Sequence, residues 1–312
     1  FVNRPAWCSG PGTALPAMQR TRPFTTQRIY GMWFILVVLC IIFYIYWVFV
    51  SCSWLPRLSI DEDYSPDPET VSRFRIAGAV VLTPFHFTFG MLLLALYQCI
   101  MTDPGVVPPN WGFYMGDETK RRRYCKMCNV WKPDRTHHCS ICDRCILNMD
   151  HHCPWVNNCV GFYNRKFFMQ LLFYVYASLS IVILSSGPDI YLRVCRLSES
   201  YTNIWWEDAL VLVELSLSFL LVVTLTNFIK FHMKLVSDNF TTIENLEREE
   251  GVKSKFDIGR SRNWEQVFGT NVWMWWLPMH TASSRPVGDG SRWRVHYTRV
   301  VDEDEELPPD DY

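Results

Sequence analysis

Residues 125–159 read CKMCNVWKPDRTHHCSICDRCILNMDHHCPWVNNC. Seven of the chain's twelve cysteines and four of its eight histidines fall in this stretch. Such density is not a packing pattern, because Val or Leu would fill a core as well; it is the donor set of a metal site. Zinc takes four thiolate or imidazole ligands in a tetrahedron, and a C-x2-C turn offers two sulfurs to one ion. Cys125/Cys128 and Cys139/Cys142 are such pairs. Cys145 extends the second pair at the same interval, so three cysteines compete for two places there. Eleven donors are available and two closed sites take eight, which leaves three over. Neighbouring side chains of an extended strand point to opposite faces. His138 and Cys139 therefore serve different ions, and His152 faces away from the side shared by His151 and Cys153. The surplus is then His137, His151 and Cys153. A thiol and an imidazole on one face, with Asp150 beside the imidazole, make an activated nucleophile: the base takes the thiol proton and the carboxylate fixes its tautomer.

Four uncharged apolar runs must position this segment. They span 29–50, 76–101, 167–186 and 209–229, the last interrupted by Glu214. About 20 such residues cross a bilayer, so each reads as a transmembrane helix. Lys and Arg set the orientation. Residues 102–166 carry ten, 1–28 carry four and 230–255 carry five, against three in 51–75 and two in 187–208. Both termini and the cysteine-rich segment are thus expected in the cytosol, with 51–75 and 187–208 as lumenal loops. Glu214, five residues inside the non-cytosolic end, is expected to reach the interface. The cytosolic region 230–312 holds a Trp-rich patch (Trp264, Trp273, Trp275, Trp276) and ends in the acidic DEDEELPPDDY, which reads as solvated. No internal repeat or low-complexity region is apparent. A net charge of −1 gives no sign of nucleic-acid binding.

Asp150-His151-His152-Cys153 followed by Pro154-Trp155-Val156-Asn157-Asn158-Cys159-Val160-Gly161 resembles the cysteine-rich domain of the DHHC protein S-acyltransferases (palmitoyltransferases). Asp103-Pro104-Gly105 and Thr241-Thr242-Ile243-Glu244 resemble that family's two flanking motifs, and Asn263-Trp264 through Phe268-Gly269 its C-terminal motif. The resemblance runs from about Ile29 to Trp276. It implies an integral membrane, all-α four-helix bundle carrying a cytosolic zinc-binding domain (124–161) of short β-hairpins. One structural zinc would take Cys125, Cys128, His138 and Cys145, the other Cys139, Cys142, His152 and Cys159. His137 would have a packing or supporting role. Cys153 would attack a long-chain acyl-CoA such as palmitoyl-CoA, with His151 as base and Asp150 orienting it, and pass the acyl group to cytosolic cysteines of membrane-associated proteins. The membrane would be ER, Golgi or plasma membrane.

For the acyl chain, Trp155 would line an entrance, and Phe168, Leu171, Val175 and Ser178 share one face of the third span, which reads as ordinary helix packing first and as a tunnel wall second. Arg121, Arg122, Arg123, Lys132, Arg135, Arg165 and Lys166 are the cations available for CoA phosphates, and the run 121–123 reads equally as attracted to anionic lipids. Thr241 and Thr242 fit an N-cap for a helix starting near Ile243, and the family motif adds a hydrogen bond to Asp150. Asn263 is expected to satisfy backbone groups of the tail. A membrane-anchored zinc adaptor would use the same metal ligands but leave Asp150, His151 and Cys153 without a task. A transporter would need more polar residues in its spans than Glu214, His86 and Gln170.

Overall fold

The computed structural model describes residues 26–58, 68–112, 123–199 and 206–295, with the side chains of 26–28, 68, 70 and 188–199 left out. The acidic tail, Arg121 and Arg122 lie outside these residues. Among the described residues four helices are long and apolar enough to cross a membrane. Helix α1 (Thr26–Trp47) runs on as a π-helical stretch, Val48–Trp54, into the short α2 (Leu55–Leu58). The others are α3 (Pro68–Met101), α4 (Arg165–Glu199) and α5 (Trp206–Ser237). Each outruns its apolar stretch, and α4 continues through much of 187–208, where a loop was expected. Charged residues end an apolar run without ending the backbone hydrogen bonding that makes a helix, so hydropathy marks spans rather than helix ends.

The bundle core gathers Phe49, Phe85, Leu179, Val182, Val211 and Leu215, all buried. Glu214 is buried with them, 0% exposed, and its Oε1 accepts from Ser218 Oγ at 3.4 Å. The expectation that it reaches the interface is therefore corrected. Its helix face turns into the bundle, beside the π-helical stretch, rather than toward the bilayer surface.

The described residues between α3 and α4 form three antiparallel hairpins: β1–β2 (Tyr124–Cys125, Val130–Trp131), β3–β4 (His137–Cys139, Arg144–Ile146) and β5–β6 (His151–Cys153, Asn158–Val160). His138 pairs with Cys145 across the second hairpin, and His152 with Cys159 across the third. This equivalence reveals a repeat that the sequence reading misses. Cys125/Cys139, Cys128/Cys142, His138/His152 and Cys145/Cys159 are each fourteen positions apart. Among the non-ligand residues between them only His137/His151 repeats as well, so little but the ligands carries the period. One step further, Cys139 leads to Cys153, but Cys142 leads to Val156 and His152 to Lys166. Cys125, Cys139 and Cys153 each end the first strand of their hairpin.

The hairpins are fastened to the helices by named bonds. Asn158, the cross-strand partner of Cys153, donates from Nδ2 to the Cys99 and Thr102 carbonyls, both at 3.0 Å, closing the end of α3. Asp103 accepts from Arg144 at 2.6 Å, and Leu147 N donates to the Gly105 carbonyl at 3.1 Å. Gly161 sits so close that a Cβ there would lie 2.8 Å from the Pro104 carbonyl oxygen. On the far side Gly31 of α1 abuts the Asn157 side chain, and Phe34 meets Trp155 edge-on at 5.3 Å.

Candidate active site and metal centres

Each group of four ligands converges. In both Cys125/Cys128/His138/Cys145 and Cys139/Cys142/His152/Cys159, the donor atoms all lie within 4.8 Å of one another. In the first group His138 Nδ1 is 3.2 Å from Cys128 Sγ and 3.7 Å from Cys125 Sγ. In the second, His152 Nδ1 is 3.7, 3.5 and 3.6 Å from the sulfurs of Cys139, Cys142 and Cys159. A tetrahedral zinc with bonds of about 2.3 Å to sulfur and 2.0 Å to nitrogen sets its ligand atoms roughly 3.5–3.8 Å apart, so the donor sets fit that ion. The Cys145 competition resolves through strand pairing, because the cross-strand contact with His138 carries Cys145 to the first group. His137, paired with Ile146 on the same ladder, belongs to neither group.

The three residues Asp150, His151 and Cys153 meet at the membrane end of the third hairpin. Asp150 is fully buried, and its Oδ2 lies 2.7 Å from His151 Nδ1. That bond leaves Nε2 of the ring for other work. Two further elements hold the carboxylate. Thr242 donates to it from its hydroxyl at 2.7 Å and its backbone N–H at 3.0 Å, and Arg165 Nη2 stands 3.3 Å away. Burial opposes the charge on Asp150, but Arg165 and His151 outweigh it and keep the carboxyl far below its usual range. Burial likewise disfavours imidazolium at His151, yet hydrogen bonding to Asp150 and Cys153 raises its pKa to about 9. Cys153, 5% exposed, packs with Leu96, Cys99, Phe168, Leu172 and Ile229 of the spanning helices. The thiol thus stands between the charged Asp150–His151 pair and the apolar interior of the bundle.

Thr242 is placed by a capping box. Thr241 Oγ1 accepts from Glu244 N, and Glu244 Oε2 accepts from Thr241 N at 2.8 Å, which starts α6 (Thr242–Glu247). Glu244 is in turn clamped by Arg135 through Nε at 2.9 Å and Nη2 at 2.8 Å. Arg135 also donates to Asn239 and lies between the rings of Phe256 and Trp293, 4.6 Å from each centroid. Asn263, in α7 (Arg260–Phe268), donates to the Ser237 carbonyl at 2.8 Å and accepts from Ile258 N and Asn239. It ties the tail to the end of α5.

Three cations expected to meet phosphates are corrected by their burial. Arg135 is 2% exposed and saturated as described; Arg165 faces Asp150 and donates to the Phe240 carbonyl at 2.7 Å. Lys166, 0% exposed, donates to the Met274 and Met279 carbonyls. Their spacing gave no warning, because a buried and an exposed arginine look alike in sequence. Lys132 is half-buried on the strand-exit turn of the first hairpin, and Arg123 pairs with Asp134 at 3.1 Å. Trp155 is half-exposed beside α1. Phe168 touches the His151 ring at 5.1 Å, and Leu171 packs around the Cys153 cluster. Further along the same helix, Val175 and Ser178 line a cavity of about 60 Å³ with Ile42, Phe85, Phe89 and Leu92. His232 of α5 was missed, because the apolar run ends at Ile229; its buried ring stands 5.9 Å from His151 and 5.1 Å from Phe168.

The model of the DHHC palmitoyltransferase family matches residues 118–249, which contain both ligand groups and the Asp150–Thr242 contact. The chain is 34% identical over 279 residues to probable protein S-acyltransferase 14 of Arabidopsis thaliana, covering 82% of this chain and 87% of that one.

The chain belongs to the DHHC palmitoyltransferase family.

Among other members, palmitoyltransferase ZDHHC20 of Homo sapiens is 30% identical over 272 residues, 73% of this chain and 68% of that protein. The family's namesake tetrapeptide is the strand β5 with the Asp150 that precedes it, so its four residues divide between relay, metal site and thiol.

Proposed function

We propose that this DHHC palmitoyltransferase moves a long-chain acyl group from acyl-CoA to protein cysteines through a thioester on Cys153. The observation that carries the reading is Asp150 anchored from both Thr242 and Arg165 while bonded to His151 Nδ1, with Cys153 set against the spanning helices. His151 takes the thiol proton at Nε2 as the Cys153 sulfur bonds to the acyl carbonyl carbon. The bond to CoA sulfur breaks, and CoA leaves with that proton. A substrate thiol repeats the sequence: its proton goes to His151, its sulfur takes the acyl carbon, and Cys153 is regenerated. Asp150 holds the ring and stabilises imidazolium in both halves.

Two zincs would be held by the eight converging ligands. With four protein ligands each, they would supply rigidity to the hairpins and no open coordination position. The acyl chain would lie in the bundle, since each methylene gains about 0.8 kcal/mol from leaving water. Phe168 and Leu171 beside the thiol, then Val175 and Ser178 at the cavity, mark a continuous apolar face of α4 for it. Trp155 would flank the way in, and Lys132 remains for the CoA phosphates outside. The Lys/Arg distribution puts the site and both termini in the cytosol, so the acceptors are membrane-associated proteins with cytosolic cysteines. Purified protein incubated with labelled palmitoyl-CoA should acquire a hydroxylamine-sensitive label. Equal labelling of Cys153→Ser would overturn the reading.

A further inference from the structure

Past α7 the chain makes a 3-10 turn, Val272–Trp275, that packs along helix α4 in an unusual way. Lys166 donates to the Met274 and Met279 carbonyls, Gln170 Nε2 to the Trp275 carbonyl at 2.7 Å, and Tyr174 Oη to the Trp276 carbonyl. These three donors recur every four residues on one face of α4. The donors themselves span about 12 Å of the helix axis. In water the carbonyls would need no such ladder. Inside hydrocarbon a non-helical backbone persists only where protein satisfies its polar groups.

The depth can be read independently. Tyr174 packs with Leu92 and Ala95 of α3, six to nine residues inside that helix's cytosolic end at Met101, or about 10 Å. At that level of α3, Leu93, Leu94 and Tyr97 are exposed, and on α1 so is Trp33, next to the Phe34 that meets Trp155. The turn therefore reaches a height at which the surrounding helices present apolar surface outward.

Its own side chains divide accordingly. Trp275 turns inward, ring to ring with Trp264 and Phe268, and its Nε1 donates to the Gly269 carbonyl. Val272, Trp273 and Trp276 turn outward, 57%, 86% and 64% exposed. Two indoles bared at this level match the amphipathic residue type that settles at the boundary of headgroup and acyl chain.

We propose that residues 272–276 form a re-entrant wedge inserted in the cytosolic leaflet, with Trp273 and Trp276 in contact with lipid. The occupant of this surface is the bilayer, because the bared indoles sit beside Tyr174 at the depth of Leu92 and Ala95, where α3 exposes Leu93, Leu94 and Tyr97. The wedge secures α7, and through Asn263 the end of α5 that leads to Thr242, against the membrane beside the thiol. The inference rests on the reading of the four helices as membrane spans.

Full-length protein containing 5-fluorotryptophan, reconstituted in phosphatidylcholine nanodiscs, tests it by fluorine NMR. Trp273→Phe, Trp276→Phe and Trp33→Phe assign the three signals by their disappearance. A nitroxide at carbon 5 of the acyl chain should broaden Trp273 and Trp276, while a water-soluble gadolinium chelate leaves them sharp. The wedge is overturned if gadolinium broadens both and the lipid nitroxide does not, as for a water-facing or partner-binding patch. Trp33 separates the two failures: if the lipid nitroxide spares Trp33 as well, the membrane reading itself is wrong.

Discussion

Thr242 reaches Asp150 across ninety-two residues of chain and holds both carboxylate oxygens, Oδ2 through its hydroxyl and Oδ1 through its backbone N–H. The short helix α6, just past the last spanning helix, thereby anchors the carboxylate of Asp150. Thr242→Val keeps shape and backbone but removes the hydroxyl. A hydrogen bond to a charged group is worth about 1.5–3 kcal/mol, so acylation of Cys153 should slow at least roughly tenfold. Zinc content should not change. A rate within twofold of wild type would show that Arg165 and the backbone N–H hold Asp150 unaided.

Arg135 and Glu244 form a buried pair whose removal should act on the fold first. In Arg135→Ala, Glu244 stays with its capping role but loses the cation that keeps its carboxyl below the usual range. An uncompensated buried charge costs about 3–5 kcal/mol, so detergent-solubilised protein should unfold at markedly lower temperature. Arg135→Lys should recover little, because one ammonium cannot supply the two-pronged contact or lie flat between Phe256 and Trp293. Arg135→Met combined with Glu244→Gln should be more stable than Arg135→Ala, and the opposite order would count against a charge-based role.

The metal assignment separates cysteines that look alike in sequence. Metal analysis of folded wild type should find two zincs per chain, and Cys153→Ser should keep both. Cys128→Ser and Cys142→Ser should each lose one. Well under two in wild type, or loss of metal in Cys153→Ser, would refute the assignment.

Ser178 donates to Thr88 Oγ1 at 3.0 Å and lines the cavity beyond the thiol. Phe at this position should block the far end of an acyl chain and shift use toward shorter acyl-CoAs. An unchanged chain-length preference in competition assays would sink the tunnel reading.

The sequence disclosed the site far better than its supports. His138 and Cys139, or His152 and Cys153, could be assigned to opposite sides because strand alternation is a local rule, and the hairpins obey it. Arg135, Arg165 and Lys166 could not be told from surface cations, because their partners Glu244, the Phe240 carbonyl and the Met274 carbonyl lie 109, 75 and 108 residues away. Glu214 failed for the same reason: its depth along the helix was legible, but which way its face turned was not. His232 fell just past a boundary drawn by hydropathy, although its helix continues to Ser237. The fourteen-residue ligand period was open to inspection throughout, yet only the matching registers of β3–β4 and β5–β6 give it meaning.

That period has a chemical consequence for a cell under oxidative or electrophilic stress. Cys153 stands where a third group of four would begin, but Val156 and Lys166 occupy the places of its partners. With zinc bound, the hairpin cysteines divide into six that metal holds and one, the buried Cys153, that it does not. A small oxidant or alkylating toxin that reaches this pocket should therefore modify Cys153 before the metal-held sulfurs, and stop the acyl transfer proposed for it while leaving the domain folded.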